Sequence, residues 1–422
     1  MRNMKESGAT WLGLIPSHWT LGRIGQLYTE RRIKVSDTEY QPLSVTMQGI
    51  VPQLSTAAKT DAHDDRKLVC KGDFAINSRS DRRGSCGISP YDGSVSLINT
   101  ILAPRDEMNP NFYNWLFHTS EFASEFYKWG HGIVDDLWTT NWGDMKKISI
   151  PVPPISEQKQ IADFLDHKCA DIDNVIEKSR ASIEEYKKLK QSIITSAVTK
   201  GLRDNRPMKI SGIKWIDLIP EDWIESKIKY ETQYNIESLT EQTDNDFEFD
   251  YIDIGSVEYG IGITHTERCK FGSAPSRARR VVHNGDVIVS TVRTYLKAMA
   301  KINAISFPTI VSTGFAVLTC MKGLLADFLY YYVQSLPFIE FVITHSTGIG
   351  YPSINCSDLV SASILKPSIE EQAEIASYLD QKCSEIDSLI ASKEKFITEL
   401  EIYKKSLIHE YVTGKKEVPT TV

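Results

Sequence analysis

Two segments of this 422-residue chain occur twice, in the same order. Residues 4–19 and 208–223 are identical at 9 of 16 positions, and residues 153–200 and 367–414 are identical at 20 of 48 positions. The first pair is spaced by 204 residues and the second by 214. Repeats of this kind indicate one structural unit that is present in two copies.

The stretches between the repeated segments have diverged. Residues 21–150 and 224–365 align only in short islands, and the change in spacing makes the second stretch ten residues longer. The conserved segments are therefore expected to form a common frame. The variable segments are expected to recognise two different things.

A long helix is predicted to follow each variable stretch. Ser156 follows the helix-excluding prolines Pro153 and Pro154 and is expected to cap the first helix. Apolar residues then recur at alternating spacings of four and three, which places them on one stripe of each helix. In the first copy they are Ile161, Leu165, Ile172, Ile176, Ile183, Tyr186, Ile193 and Ala197; in the second they are Ile375, Leu379, Ile386, Ile390, Ile397, Leu400, Leu407 and Tyr411.

These two apolar stripes need a partner, and the economical one is the other helix. We therefore predict an antiparallel pair that packs as a coiled coil. Ser179, Lys190, Lys393 and Lys404 interrupt the stripes, and polar residues at such positions can fix register. Residues 171–199 would span about 43 Å, slightly more than one turn of B-DNA, so the pair could act as a ruler or serve only for packing.

The variable segments are predicted to be mixed α+β domains. Short β-branched runs such as residues 286–292 and 313–319 indicate strands. Residues 112–129 and 328–343 read as aromatic helices that belong to the core rather than to base-stacking platforms. Pro337 is expected to kink the second of these helices.

Composition is typical of a globular protein, with 41% hydrophobic and 24% charged residues. The sequence has no apolar run of the length that a signal peptide or membrane span requires, so we expect a cytoplasmic protein. The seven cysteines contain no C-x-x-C pair. Cys169 and Cys383 are repeat equivalents that are expected to be small buried hydrophobes rather than metal ligands.

Charge is unevenly distributed along the chain, although the net charge is -7. Residues 217–258 hold thirteen acids and two bases, whereas residues 270–301 hold seven bases and one acid. A basic face on an acidic body fits phosphate contact, and the alternative is a solvated run of charge. In the first half, the basic cluster consists of Arg79, Arg82 and Arg83 around Asp81.

The sequence lacks the motifs of common catalytic sites. It contains no P-loop, and Gly348-Ile349-Gly350 lacks the third glycine and downstream acid of a dinucleotide site. Asn109-Pro110-Asn111-Phe112 resembles a base-gripping corner only in passing and reads as a turn into the aromatic helix. The nine histidines show no metal-ligand spacing. These features favour a recognition role and predict that the chain alone is not an enzyme.

The ordered set of motifs resembles the specificity subunit of type I DNA restriction-modification systems, over essentially the whole chain. The matching segments are MKxSGxxWxxLIPxxW at the start of each half, GDFAINSRS from Gly72, GDVIVSTVR from Gly285, HSTGIGYPSIN from His345, and IPVPPISEQKQIADFLD and LKPSIEEQAEIASYLD before the long helices. The halves differ in places: the first lacks the TVR element, and its GHGIVDDLW replaces the second half's STGIGYPSIN.

The resemblance implies an α+β fold with an internal pseudo-two-fold duplication. Two target recognition domains would bind the halves of a bipartite DNA site in the major groove, and the helices would set the gap. The implied boundaries are residues 1–150 for the first recognition domain, 151–203 for a central helical spacer, 204–364 for the second recognition domain, 365–417 for a distal spacer and 418–422 for a tail.

The resemblance also implies partners and places the cofactors in them. Two modification subunits would bind S-adenosylmethionine and methylate adenine, and two restriction subunits would use ATP and magnesium to translocate and cut DNA. No cofactor is expected in this chain. The helices and the repeated pairs Glu157-Gln158 and Glu371-Gln372 are candidate partner-binding surfaces, although helix capping is a simpler role for those acids.

Arginine can donate two hydrogen bonds to guanine or can hold a phosphate, so the DNA-binding candidates are basic. They are Arg79, Arg82, Arg83, Arg277, Arg279, Arg280, Arg293 and Lys297. Two other functions stay open at this point: a free-standing bipartite DNA-binding regulator, and a coiled-coil scaffold whose variable domains bind proteins.

Overall fold

A computed structural model describes residues 2–53, 64–105, 107–132 and 138–419. The chain forms two compact units: Met1–Ser179 with Lys395–Val422, and Arg180–Glu394. Each unit contains a mixed α/β domain and one half of each of two long helices. The mixed fold class is therefore confirmed, whereas the predicted domain boundaries stay predictions.

The first unit is built largely from short strands. Its strands are β1 Met4–Glu6, β2 Leu14–Pro16, β3 Thr20–Arg23, β4 Tyr28–Glu30, β5 Lys34–Val35, β6 Leu43–Thr46, β7 Gly49–Pro52, β8 Arg66–Val69, β9 Phe74–Asn77, β10 Cys86–Ile88, β11 Gly93–Ser96, β12 Asn99–Pro104 and β13 Ser149–Val152. Its helices are α1 Ile24–Leu27, α2 Pro110–Phe117, α3 Ser120–Lys128, α4 Trp142–Met145 and the first half of α5 Ile155–Lys200.

An antiparallel sheet in the order β10-β9-β12-β4 forms the centre of this domain, with Asn77 opposite Asn99. The helices α2 and α3 contribute aromatic side chains to its core. The Phe117 ring centroid lies 5.0 Å from that of Phe74 and 4.4 Å from that of Phe122. Because large aromatic side chains remove much apolar area from water, this cluster dominates the packing. The predicted core role of the aromatic residues is confirmed.

The second unit repeats much of this pattern. Its strands are β14 Met208–Ile210, β15 Leu218–Pro220, β16 Ile224–Lys227, β17 Thr232–Tyr234, β18 Glu248–Ile252, β19 Val257–Glu258, β20 Gly262–Ile263, β21 Glu267–Lys270, β22 Ala278–Val282, β23 Val287–Ser290, β24 Met299–Lys301, β25 Thr309–Ser312, β26 Phe315–Cys320 and β27 Ser363–Lys366. Its helices are α6 Ile228–Glu231, α7 Ala326–Val333, α8 Leu336–His345, α9 Cys356–Leu359 and the first half of α10 Ile369–Val412.

The sheet order β24-β23-β26-β17 of the second unit corresponds strand for strand to β10-β9-β12-β4 of the first. The other main sheets differ. The first unit has a three-stranded sheet, β11-β8-β5, whereas the second has a four-stranded sheet, β21-β18-β25-β22, in which β18 and β25 are parallel. Divergence between the repeats is therefore concentrated in one sheet, and the common sheet is kept.

The long helices run antiparallel within each unit. In the first unit, Phe164 contacts Tyr411 and Asp173 pairs with Lys404, so later residues of one helix meet earlier residues of the other. In the second unit, Lys190 pairs with Asp387 in the same sense, and Arg203, just past the end of α5, pairs with Glu374. The predicted antiparallel pairing is thus present in both units.

Most of the predicted apolar stripe is buried. The buried members are Ile161, Leu165, Ile172, Ile176, Ile183, Ala197, Ile375, Leu379, Ile386, Ile397, Leu407 and Tyr411. Tyr186, Ile193, Ile390 and Leu400 are half-buried. Buried Ile194 and Val198 also belong to the core of the second unit, because the stripe widens where the helix meets the domain.

Three local predictions were wrong. Helix α5 begins at Ile155, so Ser156 lies inside its first turn and does not precede it; in the second copy the cap is Ser368, whose hydroxyl accepts from Glu371 N. Each aromatic segment forms two helices rather than one. Pro337 lies in the first turn of α8, where its missing N–H is tolerated, and it does not kink a continuous helix.

Among the helices within the described ranges, none combines the length and the apolar character that a membrane span requires.

Candidate nucleic-acid interface

The repeated Glu-Gln pair ties the start of each long helix to its own unit. In the second unit the Glu371 carboxylate accepts from Trp223 Nε1 at 3.0 Å and contacts Arg206. Arg206 in turn donates to Asp222 at 2.7 Å. Glu371 is buried, so the arginine compensates its charge where water cannot.

The first unit builds the same arrangement with one change. Trp19 Nε1 donates to Glu157 at 2.9 Å, His18 Nε2 lies 2.6 Å from the same carboxylate, and Arg2 also contacts it. Burial alone would raise the pKa of Glu157, but these three partners outweigh it and hold the pKa below its ordinary value of 4.5. His18 therefore stands where the second unit has Asp222.

The glutamine of each pair binds backbone groups. Gln372 accepts from Leu325 N at 2.8 Å and donates to the carbonyls of Gly323 and Pro367, both at 3.0 Å. Gln158 accepts from Asn109 N at 2.9 Å. Both glutamines are buried, whereas Glu157 is half-buried. Both acids lie in the first turn of their helices, where their carboxylates bind side chains of the repeated segment. A partner contact through the Glu-Gln pairs stays a prediction.

The three arginines of the first unit lie just beyond the end of β9. Arg82 belongs to the one-turn 3₁₀ helix Ser80–Arg82 and pairs with Asp81 at 3.7 Å. Arg83 lies over the Tyr127 ring at 5.4 Å, and all three arginines are exposed. A backbone bridge joins Arg79 to Thr139, next to residues 133–137, which lie outside the described residues.

In the second unit, several bases meet the acid-rich stretch. Lys270 pairs with Asp246 at 3.1 Å and Arg279 pairs with Glu241 at 3.4 Å. Lys270 ends β21, which pairs with β18 of the acid-rich stretch, and Arg279 lies on β22 of the same sheet. Charge that is separated along the sequence is therefore partly neutralised in space. This corrects the expectation of a separate basic face.

The Arg280 side chain is held by other groups of the protein. Its guanidinium donates to the Asn235 side chain and to the Phe315 carbonyl, and it lies 3.6 Å from the Cys356 sulfur. Arg277, in contrast, is exposed. A DNA contact by either residue stays a prediction.

Arg293 and Lys297 lie just beyond the end of β23, at the position that corresponds to the arginines of the first unit. They flank the 3₁₀ turn Thr294–Leu296, and both adopt left-handed backbone conformations, with φ of 51° and 50°. Arg293 lies over the Tyr351 ring at 5.3 Å, and Lys297 lies over the Tyr259 ring at 5.3 Å. The structure thus places these two bases beside aromatic side chains rather than carboxylates.

Sequence reasoning missed the aromatic members of this site. Tyr351 and Tyr295 are 71% and 55% exposed, although tyrosine side chains tend to be partly or fully covered. Tyr351 is part of the HSTGIGYPSIN motif, and Tyr295 follows the TVR element. The sequence does hold a signal for these tyrosines. Each lies in or next to a loop motif that also contains glycine or arginine.

The cysteines and histidines do not form a second site in the described ranges. His, Cys, Asp and Glu side chains there do not gather into a group of three or more that could hold a metal ion. Cys169 and Cys383 are buried free thiols, and burial raises the pKa of each to about 11. Both therefore behave as apolar side chains, as predicted.

The sequence matches the family described as the type I restriction modification DNA specificity domain twice, over residues 18–185 and 225–401. The chain belongs to this family. The two matches to the specificity domain fall one on each repeat, which agrees with the duplication. The predicted resemblance to a type I specificity subunit is confirmed, and such subunits are non-catalytic components of their complexes.

Relatives of this specificity-domain protein include the type I restriction enzyme MjaVIII specificity subunit of Methanocaldococcus jannaschii, which is 25% identical over 434 residues, covering 96% of this chain and 94% of the relative. The MjaX specificity subunit of the same organism is 28% identical over 290 residues, covering 66% of this chain but only 62% of the relative. The chain therefore matches less than two thirds of the MjaX protein.

A solved structure is similar in fold to this specificity-domain protein. It comes from a study of complex assembly and conformational transition of the type I R-M system, and the TM-score is 0.71 at 15% identity. The likeness covers 95% of this chain and 99% of that chain. At this identity it supports the fold alone.

Proposed function

We propose that each unit reads one half of a bipartite DNA site and that the long helices set the gap between the halves. One observation carries the proposal. The same sheet end in both units holds different basic residues: the exposed Arg79, Arg82 and Arg83 after β9, and the exposed Arg293 with the half-buried Lys297 after β23. Two recognition domains with different side chains at this position would select different base sequences, so the proposed site is asymmetric.

The chain supplies recognition in this proposal, and partner subunits supply chemistry. Two modification subunits would bind S-adenosylmethionine and methylate adenine, and two restriction subunits would use ATP and magnesium. A cytoplasmic location follows from the supply of these small molecules. The gap length and the cleavage activity depend on the assembled complex.

Equivalent exposed apolar residues on the long helices are the proposed docking points for the modification subunits. Val175 and Tyr403 are 41% and 54% exposed in the first unit, and their repeat equivalents Leu389 and Leu189 are 47% and 48% exposed in the second. Each unit thus presents the same pair of positions. Duplicated surfaces of this kind favour two copies of one partner.

The central experiment is co-expression of the chain with its modification subunit, followed by mapping of methylated adenines in genomic DNA. We expect a single gapped sequence with unlike halves. Binding of the purified complex to that duplex should weaken steeply as salt rises, because phosphate contacts release counterions. Tight site-specific binding by the chain alone would instead support a free-standing regulator. Partner capture without any duplex binding would support a scaffold.

Partner stoichiometry tests the docking points. Val175→Glu should leave one modification subunit per complex instead of two in native mass spectrometry, because a charge would be placed in one apolar contact. Asn174→Glu is the matched control, since it adds the same charge at the neighbouring exposed position. Two modification subunits bound to the Val175 variant would contradict the proposed surface.

A further inference from the structure

Two loops of the second unit are joined into one rigid element. Ile354 N donates to the Thr291 carbonyl at 2.9 Å, and Thr294 N donates to the Pro352 carbonyl at 3.3 Å. The hydroxyls of Thr294 and Ser346 lie 2.9 Å apart. The loop after β23 and the loop after α8 therefore hold each other in place, and we call the joined residues 291–297 and 345–354 the loop junction.

Two residues of the loop junction have strained backbone conformations. Arg293 and Lys297 adopt left-handed conformations on either side of a single turn. A left-handed backbone costs a non-glycine residue about 1–2 kcal/mol, and such strain persists where the surroundings enforce it, often at functional sites. The hydrogen bonds between the two loops provide that enforcement.

The loop junction also exposes large side chains that the core does not use. Ile349 is fully exposed, and Tyr351 and Tyr295 are largely exposed. The guanidinium of Arg293 lies over the Tyr351 ring, which limits its freedom without neutralising its charge. A preoriented guanidinium on a rigid loop loses less entropy when it binds a planar partner.

We propose that Arg293 reads a guanine in the major groove of one half-site, and that Tyr351 is the positioning residue that orients it. Arginine is suited to guanine because its planar fork can donate to O6 and N7 together. Arg279 and Arg280 are less suited to this role, since they already bond to groups of the protein. The inference rests on the proposed DNA recognition and adds which side chain reads a base.

The test uses the complex with its modification subunit and duplexes that carry the mapped site. Arg293→Lys keeps the charge but loses the fork, so binding to the site should fall roughly 5- to 150-fold, with relaxed preference at one base pair of one half. Tyr351→Ala should relax the same base pair, whereas Tyr351→Phe should not, because the ring remains. Lys322→Ala is the charge control, since Lys322 is an exposed cation of the same unit.

A base analogue identifies the contact. Replacement of the guanine by 7-deazaguanine removes the N7 acceptor, so wild-type binding should weaken while binding by Arg293→Ala, which has no donor left at this position, changes little further. If both complexes lose the same factor on 7-deazaguanine, Arg293 does not contact N7 and the inference is overturned.

The two proposals fail differently. A wild-type complex that binds no gapped duplex would overturn the proposed function and this inference together. A wild-type complex that binds its site, with Arg293→Lys and Tyr351→Ala indistinguishable from Lys322→Ala in affinity and base preference, would overturn only the inference.

Discussion

Lys190 and Asp387 form an ion pair of 2.7 Å between the two long helices of the second unit. Their repeat equivalents, Lys404 and Asp173, form the same pair at 2.6 Å in the first unit. The lysines were predicted to interrupt the apolar stripe and fix register. An ion pair that forms only in one alignment of the helices is a means of doing so, because a slipped register would leave the lysine in an apolar seam.

A double-mutant cycle on Lys190→Ala and Asp387→Ala should give a coupling of about 0.5–1 kcal/mol in the free energy of unfolding, the upper part of the range for exposed pairs. Lys190 is largely covered, with 13% of its side chain exposed. Lys190→Ala should cost about 1 kcal/mol more than Lys404→Ala, because Lys190 also donates to the Gly260 carbonyl. Denaturant unfolding measures both values, and zero coupling between Lys190 and Asp387 would exclude the register role of this pair.

Gly414→Ala should destabilise the first unit by roughly 2–5 kcal/mol, because the alanine would have to adopt a left-handed backbone conformation and its Cβ would overpack the neighbouring side chains. Its φ is 71°, and an added Cβ would lie 2.5 Å from Pro16 Cδ and 2.8 Å from the Trp19 ring. Gly8→Ala is the matched control, since Gly8 has a φ of 76° and open space around it. Thermal unfolding should separate the two variants, and equal losses would show that only the backbone conformation matters.

Glu157→Gln should make the free energy of unfolding depend less on pH under acidic conditions. The folded pKa of Glu157 lies below its ordinary value of 4.5, so ionised Glu157 stabilises the fold above about pH 4.5, and that contribution is lost as pH falls through the folded pKa. Glutamine cannot titrate and lacks this dependence. Unfolding free energies measured between neutral pH and pH 3 should therefore converge for the two proteins in acid. Parallel curves would contradict the assignment.

If Arg82 holds a phosphate, Arg82→Ala should make the plot of log binding constant against log salt concentration shallower, and the magnitude of its slope should fall by about 1. The preferred sequence should not change. Arg32→Ala is the control from the same unit, since Arg32 is an exposed cation that is paired with Glu30 at 2.5 Å. A salt series with the mapped duplex measures the slopes. A changed base preference in the Arg82 variant would indicate base reading instead.

The sequence specified the repeated frame because its signals are local and occur twice. Apolar spacing predicted the long helices and their antiparallel pairing, and prolines located the start of α5 to within one or two residues. The cap was misplaced because Pro154, not a polar residue, precedes α5, whereas Ser368 precedes α10. Repeat identity also singled out Glu157 and Glu371, but their partners lie more than a hundred residues away along the chain.

The residues by themselves determined the duplication, the fold class and the family, since each depends on order and periodicity along the chain. Only the tertiary structure decided which charges face one another. It paired Lys270 and Arg279 with acids of the loop between β17 and β18 and brought Arg293 onto the Tyr351 ring. The reason is physical: strand pairing and loop–loop hydrogen bonds join residues that are distant in sequence, and a charge is available to a ligand only after those contacts have been made.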